Sequence, residues 1–143
     1  MFPYKRILCA VDFDGSAIRA IQEAGSLARA ADGVVILFHA QWTNPVALEG
    51  YALAELQKPR GGDASLKLEE LGRSGLGGAN YECEIALGEP GETILQTAKG
   101  CSADLIVIAT HGRHGLSRLV LGSVAERVVR TSTIPVLTVS CHS

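Results

Sequence analysis

The stretch that decides the fold reads Leu105-Ile106-Val107-Ile108-Ala109-Thr110-His111-Gly112 and is followed, after nine further residues, by Gly122-Ser123. Its apolar start predicts a buried strand, and the pattern Val124–Arg130 after it predicts a helix. A strand therefore leads into a loop of small residues that ends at a helix N-terminus. Glycines let the backbone approach an anion, and the unpaired amides of a helix start point toward it. The spacing is suited to phosphate binding.

The same loop contains three side chains that can carry positive charge. They are Arg113, His114 when it is protonated, and Arg118. Cations near a phosphate strengthen its binding, although the same three residues also fit an ordinary solvated surface.

Size and composition favour one domain. The chain has 143 residues, which is enough to bury a core. Its net charge of −2 and its pI near 6.1 give no electrostatic reason to expect nucleic acid or an acidic membrane as a partner. No apolar run has the length of a transmembrane helix, and the start of the chain lacks the apolar region of a signal peptide. We expect neither a nucleic acid nor a membrane partner.

The four cysteines indicate a reducing compartment. Cys9, Cys83, Cys101 and Cys141 form no CxxC pair and no zinc-finger spacing with histidine. Cys9 lies in a predicted core strand, where we expect an inert thiol, and Cys141 is the cysteine that we expect to be exposed. Free thiols fit a cytoplasmic protein.

Strand-like runs alternate with helical patterns, which predicts an α/β fold with a parallel sheet covered by helices on both faces. The strand-like runs are Arg6–Val11, Val34–Ala40, Tyr81–Leu87, Asp104–Ala109 and Pro135–Val139. The clearest helical patterns are Ser16–Ala31, Pro90–Lys99 and the one that begins at Ser123. Tyr81–Leu87 alternates between polar and apolar residues, so we expect it at an edge of the sheet.

Two helices carry signals for their ends and buried faces. Asp14 or Ser16 is expected to cap the first helix, which turns Ile18, Ile21 and other apolar residues to one side. The run Ser123–Glu126 fits a capping box, and Glu126 and Arg130 are spaced for an ion pair. The buried face of that last helix is predicted to be Val124, Ala125, Val128 and Val129.

The segment Gln41–Asn80 carries the weakest pattern. Val46–Gln57 and Asp63–Arg73 are candidate helices, separated by a Pro-Arg-Gly-Gly break. We expect this segment to be mobile or to be ordered by a partner.

The candidate site lies at two strand ends. In an open α/β sheet, ligands bind beyond the carboxyl ends of the strands, where the strand order reverses. Asp12 leaves the first strand and the Ala109–Ser123 loop leaves the fourth. If these strands are neighbours, the order is 3-2-1-4-5 and the crevice lies between them. A carboxylate there can accept a hydrogen bond from a sugar hydroxyl or hold a metal ion.

Competing motifs are absent from the sequence. It contains neither GxxxxGK[ST] nor GxGxxG, so neither a P-loop NTPase nor an ordinary dinucleotide dehydrogenase is supported. A triad of Ser123, His111 and Asp12 lacks the GxSxG turn that would support it. His111 is interpreted as a residue that shapes the loop rather than as a base, and we assign no catalytic residue.

Four stretches carry a resemblance to a known family. They are Arg6–Asp12, Thr110–Arg113, Gly115–Val128 and Pro135–Val139. Through them the whole chain resembles a universal stress protein domain of the adenine nucleotide α-hydrolase-like superfamily. ATP-binding members of that family carry G-x2-G-x9-G-[S/T]. This chain has Gly112 and Gly122 at the second and third glycines, and Ala109 at the first.

The resemblance implies an adenine-nucleotide site and a role for each of its residues. Ala10, Val11 and Asp12 would line the adenosine, and Ala40 would touch the adenine. Ala109, Gly112 and Arg113 would wrap the ribose and phosphates, with His111 in the same site. Gly122, Ser123 and Val124 would bind the distal phosphates through their backbone amides.

The function implied by the resemblance is a switch or sensor in stress responses. It would bind ATP, ADP or AMP with Mg²⁺ or Mn²⁺ and hydrolyse ATP slowly at most. It would form a homodimer through the strand Pro135–Val139. The alternative is a nucleotide-free dimeric interaction module, which Ala109 favours, and a third reading is a hydrolase or transferase of adenylated substrates.

Overall fold

One parallel sheet organises the chain. The computed structural model describes residues 2–13, 15–41, 63–110 and 121–140. In these residues five strands pair in the order β3-β2-β1-β4-β5, which confirms the predicted order. The strands are β1 (Arg6–Ala10), β2 (Val34–Gln41), β3 (Asn80–Leu87), β4 (Leu105–Ala109) and β5 (Val136–Val139).

Helices cover both faces of the sheet, as the alternating pattern predicts. They are α1 (Ile18–Ala31), α2 (Asp63–Gly75), α3 (Pro90–Gly100) and α4 (Ser123–Thr131). Successive residues of β1 point to opposite faces, so Cys9 joins the buried cluster under α1 and α2 while Ala10 joins the cluster under α3 and α4. The site at the end of β1 therefore lies between the two layers.

β1 and β4 are held in register at their starts. The Asp104 carboxylate accepts hydrogen bonds from the backbone N–H groups of Lys5 at 3.1 Å and Arg6 at 3.2 Å. Cys9 pairs with Val107 in the ladder, so both strands end at the same edge of the sheet. This edge is where the sequence predicts the site.

The buried thiol of β1 behaves as the sequence predicts. Cys9 is fully buried, and that burial raises the pKa of its thiol to about 12. A thiol that stays protonated at neutral pH is a poor nucleophile. Cys141 lies outside the described residues. β3 is at an edge with alternating exposure, also as predicted.

Both helices have an N-cap residue different from the one that the sequence predicts. Ala17 is the N-cap of α1 and makes no side-chain capping bond, and Asp14 lies outside the described residues. Gly122 is the N-cap of α4, again without a side-chain capping bond. Ser123 is already the first helical residue, so the Ser-x-x-Glu run begins one position too late to form a capping box.

The buried faces of these helices are narrower than their apolar patterns. Ile18 is 51% exposed and Val129 is 44% exposed, because both lie at the border of the face that meets the sheet. Ala125 and Val128 are buried as predicted. The predicted pair of Glu126 and Arg130 is confirmed at 2.9 Å.

The weakly patterned segment contains one confirmed helix. α2 extends the predicted Asp63–Arg73 to Gly75 and buries Leu68, so this part of the segment is regular structure rather than a mobile connection. Val46–Gln57 lies outside the described residues. No helix in the described parts of the chain is long and apolar enough to cross a membrane.

Candidate functional site

A cavity of about 390 Å³ opens where the carboxyl ends of β1, β2 and β4 meet. The chain leaves β1 through α1 toward β2, and it leaves β4 through α4 toward β5 on the other side of the sheet. The connections therefore diverge between β1 and β4. This divergence is the switch point at which open α/β sheets bind ligands.

The floor of the cavity is apolar. Ala10, Ala40 and Ile108 come from three adjacent strands, and they pack with Phe38 and Ile94 in the cluster under α3 and α4. The two alanines leave room above the strands where larger side chains would fill it. Such a slot accepts a flat apolar ring.

The start of α4 forms one wall. Gly122 has φ −60° and ψ 158°, and it lines the cavity together with Ser123 and Val124. The first helical hydrogen bond runs from Glu126 N to Gly122 O at 2.9 Å. The amides of the three residues between them have no partner among the described residues, so they can bind an anion.

A backbone bond fixes where this wall begins. Gly122 N donates to Thr110 O at 2.6 Å, and Thr110 N donates to Val139 O at 2.9 Å. The end of β4, the start of α4 and the end of β5 are thereby joined. The amides at the start of α4 are therefore held close to the end of β4.

Two carboxylates stand at the opposite sides of this edge. Asp12 follows β1, is exposed and lines the cavity. Glu89 precedes α3 and caps it, since its side chain accepts hydrogen bonds from Gly91 N at 2.9 Å and Glu92 N at 2.8 Å. Arg127 of α4 pairs with the same carboxylate at 2.9 Å.

His39 has a structural role. Its Nδ1 lies 2.9 Å from Val11 O, and its ring stacks on Phe13 with 4.1 Å between centroids. A carbonyl oxygen only accepts, so Nδ1 carries the proton in this bond. His39 therefore holds the segment that carries Asp12 against β2.

Comparison with known proteins identifies the family. The model of the universal stress protein family matches residues 3–140. The universal stress protein MJ0531 of Methanocaldococcus jannaschii is 33% identical over 141 residues, covering 95% of this chain and 82% of the relative. The chain belongs to the universal stress protein family. The resemblance carried by its glycine spacing and its strand ends is confirmed at the level of the family.

Solved structures of universal stress proteins share the fold. The structure of MJ0577 from the same archaeon matches with a TM-score of 0.82 and 29% identity, over 96% of both chains. A universal stress protein solved in complex with cAMP matches with a TM-score of 0.68 and 25% identity, over 96% of this chain and 98% of that one. Proteins of this fold thus include one that holds an adenine nucleotide.

Most of the residues that the family resemblance implies lie around the larger cavity. It is lined by Ala10, Val11, Asp12, Ala40, Ala109, Gly122, Ser123 and Val124. The remaining three, His111, Gly112 and Arg113, lie outside the described residues, as do His114 and Arg118.

Ala109 departs from the family glycine without straining the backbone. It ends β4, pairs with Val139, and is half-buried. Positive φ angles among the described non-glycine residues occur at Asp32 and Ser102, not at Ala109. A glycine is therefore not needed here for its conformation, and the departure amounts to one methyl group at the cavity.

Sequence reasoning missed the parts of the cavity contributed by other elements. Phe38 and Ile94 belong to its apolar floor, and Pro90 lies at the wall formed by α3. Pro90 carried the signal, because proline is common at the first position of a helix, whereas the Glu89 cap is of a less common residue type. It would have placed a second helix start beside the site.

A second, smaller cavity lies on the other side of the β1 exit. It measures about 260 Å³ and lies between α1 and α2, with Ile21 and Leu71 in its lining. Lys67 reaches over the Phe13 ring there, with its Nζ at 5.3 Å from the centroid. The start of α1, with its N-cap Ala17, also lines this cavity.

Proposed function

We propose that this universal stress protein binds an adenine nucleotide in the cavity between the ends of β1 and β4. The observation that carries the proposal is the pairing of an apolar slot with the uncapped N-terminus of α4 at the switch point. The slot suits a base and the amides suit phosphates. The complex of a related universal stress protein with cAMP supports the same ligand class.

The proposed contacts follow the two ends of the ligand. Adenine would lie on Ala10 and Ala40, and Asp12 would accept hydrogen bonds from the ribose. The amides of Ser123 and Val124 would hold the distal phosphates, with Gly122 close beneath them. His111, Gly112 and Arg113 would complete the site, and Ala109 would contact the ribose through its methyl group.

A divalent cation, Mg²⁺ or Mn²⁺, fits this site if the phosphates supply most of its ligands. Among the described residues no group of three or more His, Cys, Asp or Glu side chains could hold a metal ion. Mg²⁺ bound with nucleotides commonly uses one or two carboxylates together with phosphate oxygens and water. Asp12 offers one such carboxylate at the cavity.

We expect a binding device with slow hydrolysis at most. Asp12 and His39 are the titratable residues among the described lining. The first is assigned to ribose or metal and the second is bonded to Val11, so neither is assigned to activate water. A bound nucleotide would contact both the segment after β1 and the start of α4. It would thereby favour one surface conformation over others, as a cytoplasmic stress switch requires.

Two measurements test binding. Protein purified without added nucleotide is precipitated with perchloric acid, and the supernatant is assayed for adenine absorbance. Thermal melting is then recorded with Mg-ATP, ADP and AMP. A ligand at about 100 times its Kd adds roughly 2.7 kcal/mol, which is about 8 °C for a chain of this size.

A matched pair of glycine variants locates the site. Gly122→Val keeps an extended backbone that valine adopts, but its side chain enters the cavity, so the ligand-induced shift should vanish. Gly100→Val is the control, because an added Cβ there meets nothing within 4 Å. Absence of released nucleotide and of any thermal shift in the wild type would refute the proposal.

A nucleotide-free interaction module is the second candidate. Its supporting observation is the Ala109 methyl group at the cavity, where ATP-binding relatives have glycine. Ala109→Gly separates the two readings: gain of a thermal shift with Mg-ATP in a protein that otherwise shows none would favour the module. A shift already present in the wild type would favour the nucleotide switch.

We also propose a homodimer formed through β5. This strand lies at an edge of the sheet, and its Val136, Leu137 and Thr138 are only half-buried. Ile106 N donates to Pro135 O and Thr110 N to Val139 O, so alternate residues, including Thr138, turn their backbone groups to the open edge.

A proline substitution tests that edge. Thr138→Pro removes the outward N–H and should convert a dimer to a monomer in light scattering at micromolar concentration. Thr138→Val keeps both the N–H and the shape, so it should leave the dimer intact. A monomeric wild type would refute the dimer without touching the proposal for nucleotide binding.

A further inference from the structure

One carboxylate joins the two helical walls of the cavity. Glu89 Oε1 accepts a hydrogen bond from Gly91 N at 2.9 Å, and its Oε2 accepts one from Glu92 N at 2.8 Å. The same Oε2 accepts a third bond from Arg127 Nη1 at 2.9 Å, from α4. The cap of one helix is therefore also the anchor of the other.

The anchor lies next to residues that shape the cavity. Pro90 and Ile94 contribute the α3 wall, while Val124 and Ala125 contribute the α4 wall. Arg127 lies one helical turn beyond Ser123 along α4. A change at the anchor would thus move both walls relative to each other.

Close packing reinforces the ion pair. A Cβ placed on Gly91 would lie 2.9 Å from Arg127 Cδ, so the arginine stem rests on a position where there is no side chain. Two backbone N–H groups hold the carboxylate, which limits its freedom before it meets the arginine. A pair with one fixed partner loses less side-chain entropy than an ordinary surface pair.

We infer that Glu89 and Arg127 are positioning residues of the nucleotide site, acting as a clamp that sets the spacing between α3 and α4. The inference rests on the proposed function, because the spacing matters only if a ligand occupies the cavity. The Arg127 side chain is 45% exposed and the Glu89 side chain is 27% exposed. Water and salt therefore weaken the ion pair without abolishing it.

The same helix supplies a matched control. Arg130 pairs with Glu126 at 2.9 Å within α4 and has no link to α3. Arg127→Met and Arg130→Met each remove one positive charge and one ion pair of equal length. Only the first releases the two walls.

The test is titration of each variant with Mg-ATP by calorimetry, beginning with the wild type. We expect Arg127→Met to raise the Kd by about threefold to fivefold, the upper range for a partly exposed ion pair. Arg130→Met should leave the Kd within the error of the measurement. Arg127→Lys should recover part of the loss because it keeps the charge.

Two more variants separate the clamp from a general loss of stability. Gly91→Ala leaves every charge in place but pushes on the arginine stem, so it should weaken binding in the same direction. In Glu89→Gln combined with Arg127→Met, the increase in Kd should be smaller than the product of the two single increases. Melting without ligand shows that each variant is folded.

Each failure has a distinct signature. A wild type that does not bind Mg-ATP refutes the proposed function and the clamp with it. A wild type that binds, with equal Kd values for Arg127→Met and Arg130→Met, refutes the clamp alone, whether both match the wild type or both are weaker. Multiplicative effects in the double variant also refute it, since the two residues would then act independently.

Discussion

α3 and α4 both begin at the edge of the cavity, and they begin in opposite ways. α3 starts with Pro90 and is capped by the Glu89 carboxylate, which takes two of its amides. α4 starts after Gly122, which offers no side chain to its amides. A helix N-terminus carries a partial positive charge of about half a unit, so both starts attract anions. Because the Glu89 carboxylate and carbonyl already bind the first free amides of α3, the proposed phosphate would be directed to α4.

The largest expected effect comes from adding a side-chain cap to the N-terminus of α4. Gly122→Asp gives α4 the carboxylate cap that α3 has, and the extended backbone at this position accepts aspartate. The cap should stabilise the free protein by only about a few tenths of a kcal/mol relative to glycine. It should also abolish the thermal shift of roughly 8 °C expected with saturating Mg-ATP, because the carboxylate occupies the anion position.

Gly122→Asn is the control for that experiment. Asparagine has nearly the same size and caps helices equally well, but it carries no charge. A shift that persists partly in the asparagine variant and vanishes in the aspartate variant would assign the effect to charge. An undiminished shift in the aspartate variant would show that the phosphates do not bind at α4.

A smaller effect is expected from removing the side-chain cap of α3. Glu89→Ala removes the cap of α3 and should lower the free energy of unfolding by about 1 to 2 kcal/mol. Thermal or urea melting without ligand measures it. Glu92→Ala is the matched control, since Glu92 is exposed in the first turn of α3 and does not cap it. Equal losses in the two variants would contradict the special role of Glu89.

The smallest effect is expected at Ser123. Ser123→Ala should change the free energy of unfolding by less than about 0.5 kcal/mol, because the hydroxyl makes no capping bond. Nucleotide binding should survive as well, since the backbone amide rather than the side chain is assigned to phosphate. A loss of about 1 kcal/mol in the free energy of unfolding would show that Ser123 does cap α4, as the sequence predicts.

The strand order, and the presence of a cavity where β1 and β4 end, could be predicted from the sequence because both depend on strong local signals. The apolar runs of β1 and β4 mark central strands, and Asp12 and the glycine spacing mark their ends. The rule for parallel sheets then places these ends together. The resemblance to the universal stress protein family rests on the same strands and strand ends.

Other features escaped prediction because they depend on geometry finer than a sequence pattern. Ser-x-x-Glu forms a capping box only if Ser123 is the N-cap, and in the structure the N-cap is Gly122, one residue earlier. Apolar spacing does not fix a helix boundary to within one residue. Val129 fits the apolar face of α4, yet its position at the border of a nine-residue helix leaves it exposed. Glu89 and Arg127 are separated by 38 residues, so only the packed structure brings them together.

The bond from Gly122 N to Thr110 O fixes the chain on both sides of the segment that connects β4 to α4. It pins the two ends of the intervening chain side by side, at the tip of a strand and the start of a helix. Closing a longer connection between pinned ends is inexpensive in entropy, about 0.6 kcal/mol for each doubling in length. The sheet and the amides of α4 are therefore held by a bond that does not depend on the side chains between these two residues.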